Sequence, residues 1–455
     1  MHAVHAGYTV IARLKEGCAE VAQQLLVDFN ADPERLPCAK MATTHFATGA
    51  VLPAQMYGDE ELPATLMLAT SFSGPSRAHE DDLVRIAGRG LRELFQHCEG
   101  FPEPCSDAQL ARFLREHRQA DTFYSGMQHL TREDVLRHDQ LRTEIETFVD
   151  HEQETGGFTG LDAGGIRLAI QKFVANQPRL AWATSSWEPA AGSWLALHWR
   201  TLLVAAVVLP FLAALVIGSI ALVFVPSEIL GTVVASGWIA LALPVLVLVI
   251  LVLGVRDAEL QQRYVAGRQA DEHVRALSAT QCHPVINEML VFAPIKEGST
   301  RPMFLRLALW IVARVAEGIP GLRSRRAGIN IPTVATARWI AIDRGKRLVF
   351  ISNFTNASEP YVRDFIDVRF GAMRINLTFG FGAGYPRTEW VINRGAVEDP
   401  NGFINVVNAN QHRTPFWFCP YNNLSIDNIK LNRTIREGLF GTATEAQAKA
   451  WLQLL

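Results

Sequence analysis

The sequence LLVAAVVLPFLAALVIGSIALVFV fills residues 202–225, and ILGTVVASGWIALALPVLVLVILVLGV fills residues 229–255. Each run exceeds the ~20 residues that a helix needs to cross about 30 Å of hydrocarbon. A helix on the surface of a soluble protein needs a polar face, and neither run has one. Because only three residues separate the runs, they are predicted to form an antiparallel transmembrane helical hairpin at residues 201–256.

Charged residues beside the hairpin predict its orientation. Arg200, Arg256 and Arg263 lie on the outer flanks, whereas the connecting turn carries Glu228. Cytoplasmic flanks of membrane helices are enriched in Lys and Arg, so we expect an integral membrane protein with both soluble parts on the cytoplasmic side. Before the first helix stand four tryptophans, which suit either the headgroup layer or packing within a linker: Trp182, Trp187, Trp194 and Trp199.

The composition of the chain limits the classes of partner and compartment that fit it. The 455-residue chain has 43 Lys and Arg against 45 Asp and Glu, a net charge of -2, which gives no support to a nucleic-acid partner. Its six cysteines include no CxxC pair, which indicates free thiols in a reducing compartment. Residues 2–7 lack a basic flank followed by an apolar run, so no cleavable signal peptide is predicted.

The two soluble parts repeat the same pattern of residues. Matched blocks occur in the same order on both sides of the hairpin: YTVIARLKEG at 8–17 with MLVFAPIKEG at 289–298, LMLATSF at 66–72 with LVFISNF at 348–354, GFP at 100–102 with GYP at 384–386, and TFY at 122–124 with PFW at 415–417. A shared order of several blocks indicates an internal duplication.

Hydrophobic periodicity predicts the elements of one copy. Strands are expected at 8–14, 43–52, 65–72 and 121–128, and helices at 17–30, 79–97 and 133–150. This βαββαβ order belongs to the α+β class, and the open sheet face needs a partner, which a second copy supplies. The predicted organisation is a first repeat at 1–150, a linker with interfacial Trp residues at 151–200, the hairpin at 201–256, a linker at 257–282 and a second repeat at 283–455.

The block TVIARLKEG at residues 9–17 resembles the first strand and turn of antibiotic-biosynthesis-monooxygenase-like domains. The duplicated unit is similar to the dimeric α+β-barrel superfamily, whose members include small monooxygenases, chlorite dismutase-like proteins and dye-decolorizing peroxidases. The likeness covers most of residues 1–150 and 283–445. It implies two ferredoxin-like βαββαβ repeats whose sheets pair into a pseudo-dimeric α+β barrel, but it is a likeness of fold and transfers no reaction.

Residues that differ between the copies are the candidate site residues. His45 lies on an apolar strand and aligns with Ala335, so it is either a general base or a core histidine bonded to a backbone carbonyl. Arg338 and Trp339 lie on opposite faces of their strand, so one of them points into the barrel. His412 precedes the aromatic residues Phe416 and Trp417.

The resemblance to haem-binding members implies a cofactor site in this last region. There His412 would be the axial ligand, and Phe416 and Trp417 would line the cofactor pocket. The sequence departs from the dye-decolorizing peroxidases because it lacks their GxxDG motif.

Two functions follow from these observations. The sequence has no HExxH, no phosphate-binding loop and no GxSxG motif. One hypothesis is a membrane-anchored oxidoreductase of monooxygenase or peroxidase type that acts on an apolar small molecule, with His45, Arg338 and His412 as catalytic residues. The other is a non-catalytic membrane-bound module that binds a lipid or a protein. Whether the barrel closes within one chain or in a homo-oligomer stays open.

Overall fold

The computed structural model describes residues 5–127, 129–184, 194–225, 227–261, 285–318, 333–356, 361–363, 366 and 371–455. Within these ranges the chain combines helices with antiparallel sheets, as predicted for the α+β class. Trp187 and Arg263, which flank the predicted hairpin, lie outside the described residues, as does Pro226 between its two apolar runs.

The strands are numbered in chain order: β1 His5–Arg13, β2 Thr44–Leu52, β3 Gln55–Tyr57, β4 Glu60–Leu62, β5 Thr65–Ser73, β6 Arg118–Gln119, β7 Thr122–Ser125, β8 Ile286–Pro294, β9 Val334–Ile342, β10 Arg347–Thr355, β11 Thr388–Glu389, β12 Asn393–Arg394, β13 Gln411–His412 and β14 Phe416–Phe418. The helices are α1 Ala19–Ala31, α2 Ser76–Phe95, α3 Asp107–Glu116, α4 Arg132–Thr155, α5 Ala163–Asn176, α6 Trp194–Phe224, α7 Glu228–Gln261, α8 Thr300–Gly318, α9 Gly371–Phe379, α10 Pro400–Ala409, α11 Ile426–Leu439 and α12 Glu445–Leu452.

Each element predicted for residues 1–150 has an observed counterpart. β1, β2, β5 and β7 overlap the four predicted strands, and α1, α2 and α4 overlap the three predicted helices. The periodicity did not predict α3, a ten-residue helix that begins at a capping box formed by Ser106 and Gln109. A capping box satisfies two backbone N–H groups at a helix start, and the motif S-x-x-Q was the available signal.

Two five-stranded sheets have matching strand orders. The first sheet runs β14-β2-β5-β1-β6, and the second, read from its opposite edge, runs β7-β9-β10-β8-β13. All neighbouring strands are antiparallel. β7 follows the strands of the first sheet in the chain but pairs with β9, and β14 follows the strands of the second sheet but pairs with β2. The two halves of the chain therefore exchange one edge strand.

Buried apolar side chains form a core on each side of both sheets. One cluster joins the first sheet to α1, α2 and α3, and another joins the second sheet to α8, α9 and α10. A third cluster contains residues of both sheets, including Ile11, Met67, Phe292, Ile340 and Val349. Because successive side chains of a strand point to opposite faces, the residues of this third cluster define the faces that the two sheets turn towards each other.

Helix α7 is long and apolar enough to cross a membrane, and its most apolar window is only 6% buried by protein. A core helix of a soluble protein would be mostly covered. Helix α6 carries the other apolar run of the sequence, and the continuous part of it with described side chains, Pro210–Phe224, is apolar apart from Ser219. The two helices contact each other, and the indole N–H of Trp238 donates a hydrogen bond to Ser219 Oγ at 3.0 Å. They extend beyond the predicted bounds of 201–256, since α6 begins at Trp194 and α7 ends at Gln261.

The end of α7 is held against the second sheet by a buried ion cluster. The carboxylate of Glu259 accepts hydrogen bonds from Lys296 Nζ at 2.9 and 3.1 Å and from Arg301 Nε at 3.1 Å. All three side chains are 5% exposed. Burial lowers the pKa of Lys296, and the charge of Glu259 opposes that shift. Part of the linker predicted at 257–282 is thus helical and packed.

The linker predicted at 151–200 is also partly ordered. Helix α5 lies within it and packs with α4, α11 and α12 around a separate apolar cluster. Trp182 packs against this cluster, with its ring stacked on His138 at 6.1 Å and below the guanidinium of Arg436 at 5.8 Å. Of the two alternatives for the tryptophans, the headgroup layer or packing within a linker, Trp182 therefore agrees with packing within the protein. The side chains of Trp194 and Trp199 lie outside the described residues.

Replacing Glu259 by Gln should destabilise the protein strongly. Removing one partner of a buried ion pair leaves an uncompensated buried charge and costs about 3–5 kcal/mol, and here two cations lose their partner. The midpoint of thermal unfolding in detergent measures the effect. Glu228→Gln, at the exposed start of the same helix, is the matched control. Equal midpoints for the two variants would contradict a stabilising role for the cluster.

Candidate functional site

The facing sheets enclose a polar layer at one end of their interface, opposite the end filled by the apolar cluster. We use the term polar layer for six side chains that the strand registers place on the inner faces: Thr9, Thr48, Ser71, Glu288, Arg338 and Asn353. Each belongs to a strand whose apolar inner residues lie in the cluster between the sheets. Buried polar groups must find partners within the protein, so their contacts are informative.

Arg338 extends from the second sheet into the first. It lies on β9, is 3% exposed, and donates to Thr9 Oγ1 at 3.0 Å, to the carbonyl of Thr70 at 2.9 Å, and to Ser71 Oγ. Its guanidinium lies 5.3 Å from the ring centroid of Phe123. Burial lowers the pKa of Arg338 from its ordinary value. The inner one of the pair Arg338 and Trp339 is therefore the arginine.

Asp121 is the nearest carboxylate to this guanidinium. It precedes β7, and its Oδ2 lies 3.8 Å from Arg338 Nη1 without a hydrogen-bond partner. Burial raises the pKa of Asp121, and the charge of Arg338 opposes that shift. A Cβ atom at Gly7 would collide with the Asp121 carboxylate and lie 3.1 Å from Arg338 Nη1. The absence of a side chain at Gly7 gives the ion pair its space.

Glu288 is the second carboxylate of the layer. It is half-buried on β8 and accepts hydrogen bonds from the hydroxyls of Thr48 and Thr414. Burial raises the pKa of Glu288 to about 7, against the effect of both hydroxyls and of the Arg338 charge. Its Oε2 has no hydrogen-bond partner. A carboxyl group in this state is close to half-ionised at neutral pH.

Each charged residue of the layer occupies a register position that an uncharged residue holds in the other half of the chain. Glu288 pairs with Asn353 as Gly7 pairs with Ser71. Arg338 and Thr48 both stand three positions after a residue skipped by a β-bulge, which is Ala335 in β9 and His45 in β2. The alignment of His45 with Ala335 thus agrees with the registers. Glu288 was not among the predicted site residues, because the matched block begins one residue after it. The available signal was an acidic residue on an apolar strand that aligns with a glycine, Gly7, in the other copy.

His45 lies at this same end of the interface, beside a second histidine. Its Nδ1 forms a hydrogen bond with the hydroxyl of Tyr421, its ring centroid is 4.6 Å from that of His5, and its Nε2 has no partner. His5 bonds to Ser125 Oγ at 2.9 Å and to the carbonyl of Leu130 at 2.6 Å. Burial lowers the pKa of His45 well below its ordinary value and that of His5 to about 4. Both rings are neutral at pH 7.

The predicted cofactor residues do not share one cavity. Trp417 pairs with Thr48 on the inner face and donates from Nε1 to Asn353 Oδ1 at 2.9 Å. Phe416 points the other way, into the core between the first sheet and its helices. His412 lies on edge strand β13 with its ring edge-on to Phe292 at 5.9 Å. A haem would require all three around one apolar space, and this arrangement does not fit it.

An open groove of about 510 Å³ lies at the apolar end of the sheet interface, away from the polar layer. Its lining includes Ile11, Arg13 and Thr65 of the first sheet and Ile342 and Asp343 beside the second. None of His45, Arg338, His412, Phe416 or Trp417 lines it. Among the described residues, no group of three or more His, Cys, Asp or Glu side chains could hold a metal ion.

Comparison with known proteins adds no family. A scan against protein-family models and a search of curated proteins both find no match.

The three residues predicted to be catalytic do not lie together. Arg338 lies in the polar layer, His45 lies at the same end, and His412 lies at the edge of the second sheet.

The raised pKa of Glu288 predicts a pH-dependent stability. The folded state holds this proton up to about pH 7, whereas the unfolded state releases it near 4.5. Folding therefore binds a proton between these values, and stability falls as the pH rises through this window. Replacement by Gln removes the effect, so Glu288→Gln should be more stable than the wild type at pH 8 and equal to it near pH 4.5.

The measurement is the unfolding midpoint of both proteins from pH 4.5 to 8. Because all other titrating groups are common to the two proteins, the difference between the curves isolates Glu288. A difference that stays constant with pH would show that the carboxyl titrates at its ordinary value.

Proposed function

We propose that this protein is a membrane-anchored oxidoreductase of the cofactor-independent monooxygenase type, which acts on an apolar small molecule in the polar layer. The observation that carries the proposal is the state of Glu288, a carboxylate with a pKa of about 7 and an unpartnered Oε2. A general base works best when its pKa lies near the operating pH. The oxidative part of the proposal is an analogy with the small monooxygenases of the superfamily that the chain resembles, and oxygen uptake tests it directly.

The proposed scaffold is a pseudo-dimeric α+β barrel of two ferredoxin-like repeats, closed within one chain. Three features support it: the matching strand orders, the exchanged edge strands β7 and β14, and the apolar cluster shared by both sheets. A closed pair of sheets gives the polar layer two walls from different halves of the chain.

The proposed anchor is the hairpin of α6 and α7, with the soluble parts on the cytoplasmic side of the bilayer. The exposed apolar window of α7 and its contact with α6 support a hairpin. Arg200 and Arg256 on the outer flanks, with Glu228 in the turn, support the orientation through the positive-inside rule. A substrate that partitions into lipid would reach such a protein from the membrane.

The proposed chemistry begins with proton transfer. Glu288 Oε2 takes a proton from a phenol or an enolisable ketone, and the positive charge of Arg338 stabilises the anion that forms. The anion passes electrons to dioxygen, so that a CH2 group and O2 give a C=O group and water. Neutral His45, with its unpartnered Nε2, is the second candidate for the base.

A second candidate function is the non-catalytic module that binds a lipid or a protein. The observation that favours it is the internal pairing of the polar layer. Arg338 stacks on Phe123, and Trp417 bonds to Asn353. Side chains that already fill the space between two sheets act as structural bridges, and a ligand would then bind elsewhere.

Oxygen uptake by the full-length protein in nanodiscs tests the proposal. With a panel of lipophilic phenols and enolisable ketones, the wild type should consume oxygen with a kcat that rises through about pH 7. Loss of a general base lowers the rate roughly 10²–10⁴-fold, so Glu288→Gln should lose activity by that factor. Glu61→Gln, an exposed carboxylate on β4, is the control and should keep full activity.

The outcomes separate the two functions. Retained oxygen uptake in Glu288→Gln would remove Glu288 from the mechanism. Binding of panel compounds without oxygen uptake would favour the binding module. If the wild type shows no oxygen uptake and no binding with any compound of the panel, the oxidoreductase proposal is overturned.

A further inference from the structure

The burial pattern of α7 indicates where this helix would leave the bilayer. The stretch from Ile239 to Ile250 is largely exposed, whereas Leu251, Val252 and the fully buried Val255 pack into the core of the second sheet. Residues 228–250 measure about 34 Å along a helix axis, which matches about 30 Å of hydrocarbon. For a helix that crosses the bilayer, this pattern puts the membrane boundary between Leu251 and Arg256.

A short hairpin of the second half contacts α7 at this boundary. Strands β11 and β12 form it, and its tip consists of Trp390, Val391 and Ile392. The Arg256 guanidinium lies 4.5 Å from the ring centroid of Trp390, and Glu259 accepts a hydrogen bond from the backbone N–H of Thr388. The tip is thus fixed at the level where α7 would leave the lipid.

The tip exposes apolar side chains at this level. Trp390 is 45% exposed and Ile392 is 40% exposed, while Val391 between them is buried. Val397, which follows β12, is 55% exposed. Tryptophan suits the headgroup layer because its ring is apolar and its N–H is polar. Exposure of this kind is unfavourable in water and favourable in a bilayer interface.

The hairpin is held in an unfavourable backbone conformation by buried contacts. Trp390 and Val391 have φ values of 53° and 69°, a region that large and β-branched residues rarely occupy. Asn376 is fully buried and donates to the carbonyls of Ile392 at 2.9 Å and Arg394 at 3.1 Å. Such strain persists only where the surroundings enforce it, and it clusters at functional positions.

The hairpin belongs to the half of the chain that contacts α7. In the first half, residues 103–106 connect the GFP block to α3, which makes four residues. In the second half, residues 387–399 connect the GYP block to α10, which makes thirteen. The additional residues form the hairpin, so this feature occurs where the membrane would lie and is missing from the matched connection.

We propose that the hairpin Thr388–Arg394 inserts its tip into the headgroup layer of the bilayer that α7 crosses. The partner is a phospholipid surface. This choice of partner is supported by the contacts of the hairpin with Arg256 and Glu259, which join it directly to α7. The inference rests on the proposed membrane span. Together, the buried Glu259 cluster and the inserted tip hold the second sheet at a defined angle to the membrane.

Fluorine NMR of the full chain in nanodiscs tests this inference. The protein is labelled with 5-fluorotryptophan, and the variants Trp390→Phe, Trp238→Phe and Trp451→Phe assign three resonances by their loss. A lipid with a paramagnetic headgroup should broaden the Trp390 resonance and leave that of Trp451, which is 6% exposed in the helical cluster of α12. A lipid with a paramagnetic acyl chain should broaden the resonance of Trp238 in α7.

The two resonances distinguish failure of the hairpin from failure of the span. Broadening of Trp238 without broadening of Trp390 would overturn the hairpin and leave the span in place. Absence of broadening at both positions would overturn the span and the hairpin together. In Ile392→Asp, a charge at the tip opposes insertion, so Trp390 should lose its broadening. Val27→Asp, at an exposed position of α1, should leave the broadening of Trp390 unchanged.

Discussion

The ladders β7–β9 and β14–β2 join the two halves of the chain, and most other features depend on them. Each half supplies the last strand of the other half's sheet. Neither sheet can complete its hydrogen bonding alone, so the sheets are held with their inner faces together. That constraint creates the apolar cluster of Ile11, Met67, Phe292 and Val349 at one end. At the other end it brings polar side chains from distant parts of the chain into contact.

The polar layer is symmetric in backbone position and asymmetric in chemistry. Arg338 occupies the position that Thr48 holds in the other half, and Glu288 occupies the position of Gly7. Both charged residues come from the second half of the chain. Glu288 accepts from the uncharged Thr48 of the first half, whereas Arg338 meets the carboxylate of Asp121 there. Because the two charges lie in one low-dielectric region, each affects the pKa of the other, and burial raises the pKa of Glu288 to about 7. This difference between matched positions carries the proposed chemistry.

The link between α7 and the second sheet has a different physical basis. Glu259 joins two buried cations to the helix, and Val255 packs beside it. A buried carboxylate with two cationic partners has few alternative arrangements, so the helix end and the sheet are held as one body. The exposed tip of the β11–β12 hairpin then faces the level at which α7 would leave the lipid. The proposed anchor and the proposed site are thereby connected through packed structure.

The sequence by itself determined the local features of this protein. Apolar runs identified α6 and α7, period-two and period-3.6 patterns located the strands and helices of the first half, and repeated blocks matched His45 with Ala335. Such patterns report which face of an element is apolar, and each depends on neighbouring residues only. They also placed Arg338 and Trp339 on opposite faces without indicating which faced inward.

Tertiary structure decided which partners those faces meet. The exchange of β7 and β14, the contact of Thr48 with Glu288, the insertion of Arg338 between Thr9 and Ser71, and the cluster at Glu259 all join residues far apart in the chain. Strand register and sheet pairing set these contacts. The alternation of side chains along a strand, with its period of two residues, shows which residues share a face but not which strand lies beside them. The separation of Phe416 from Trp417 could have been read from alternation, but the partner of each face could not.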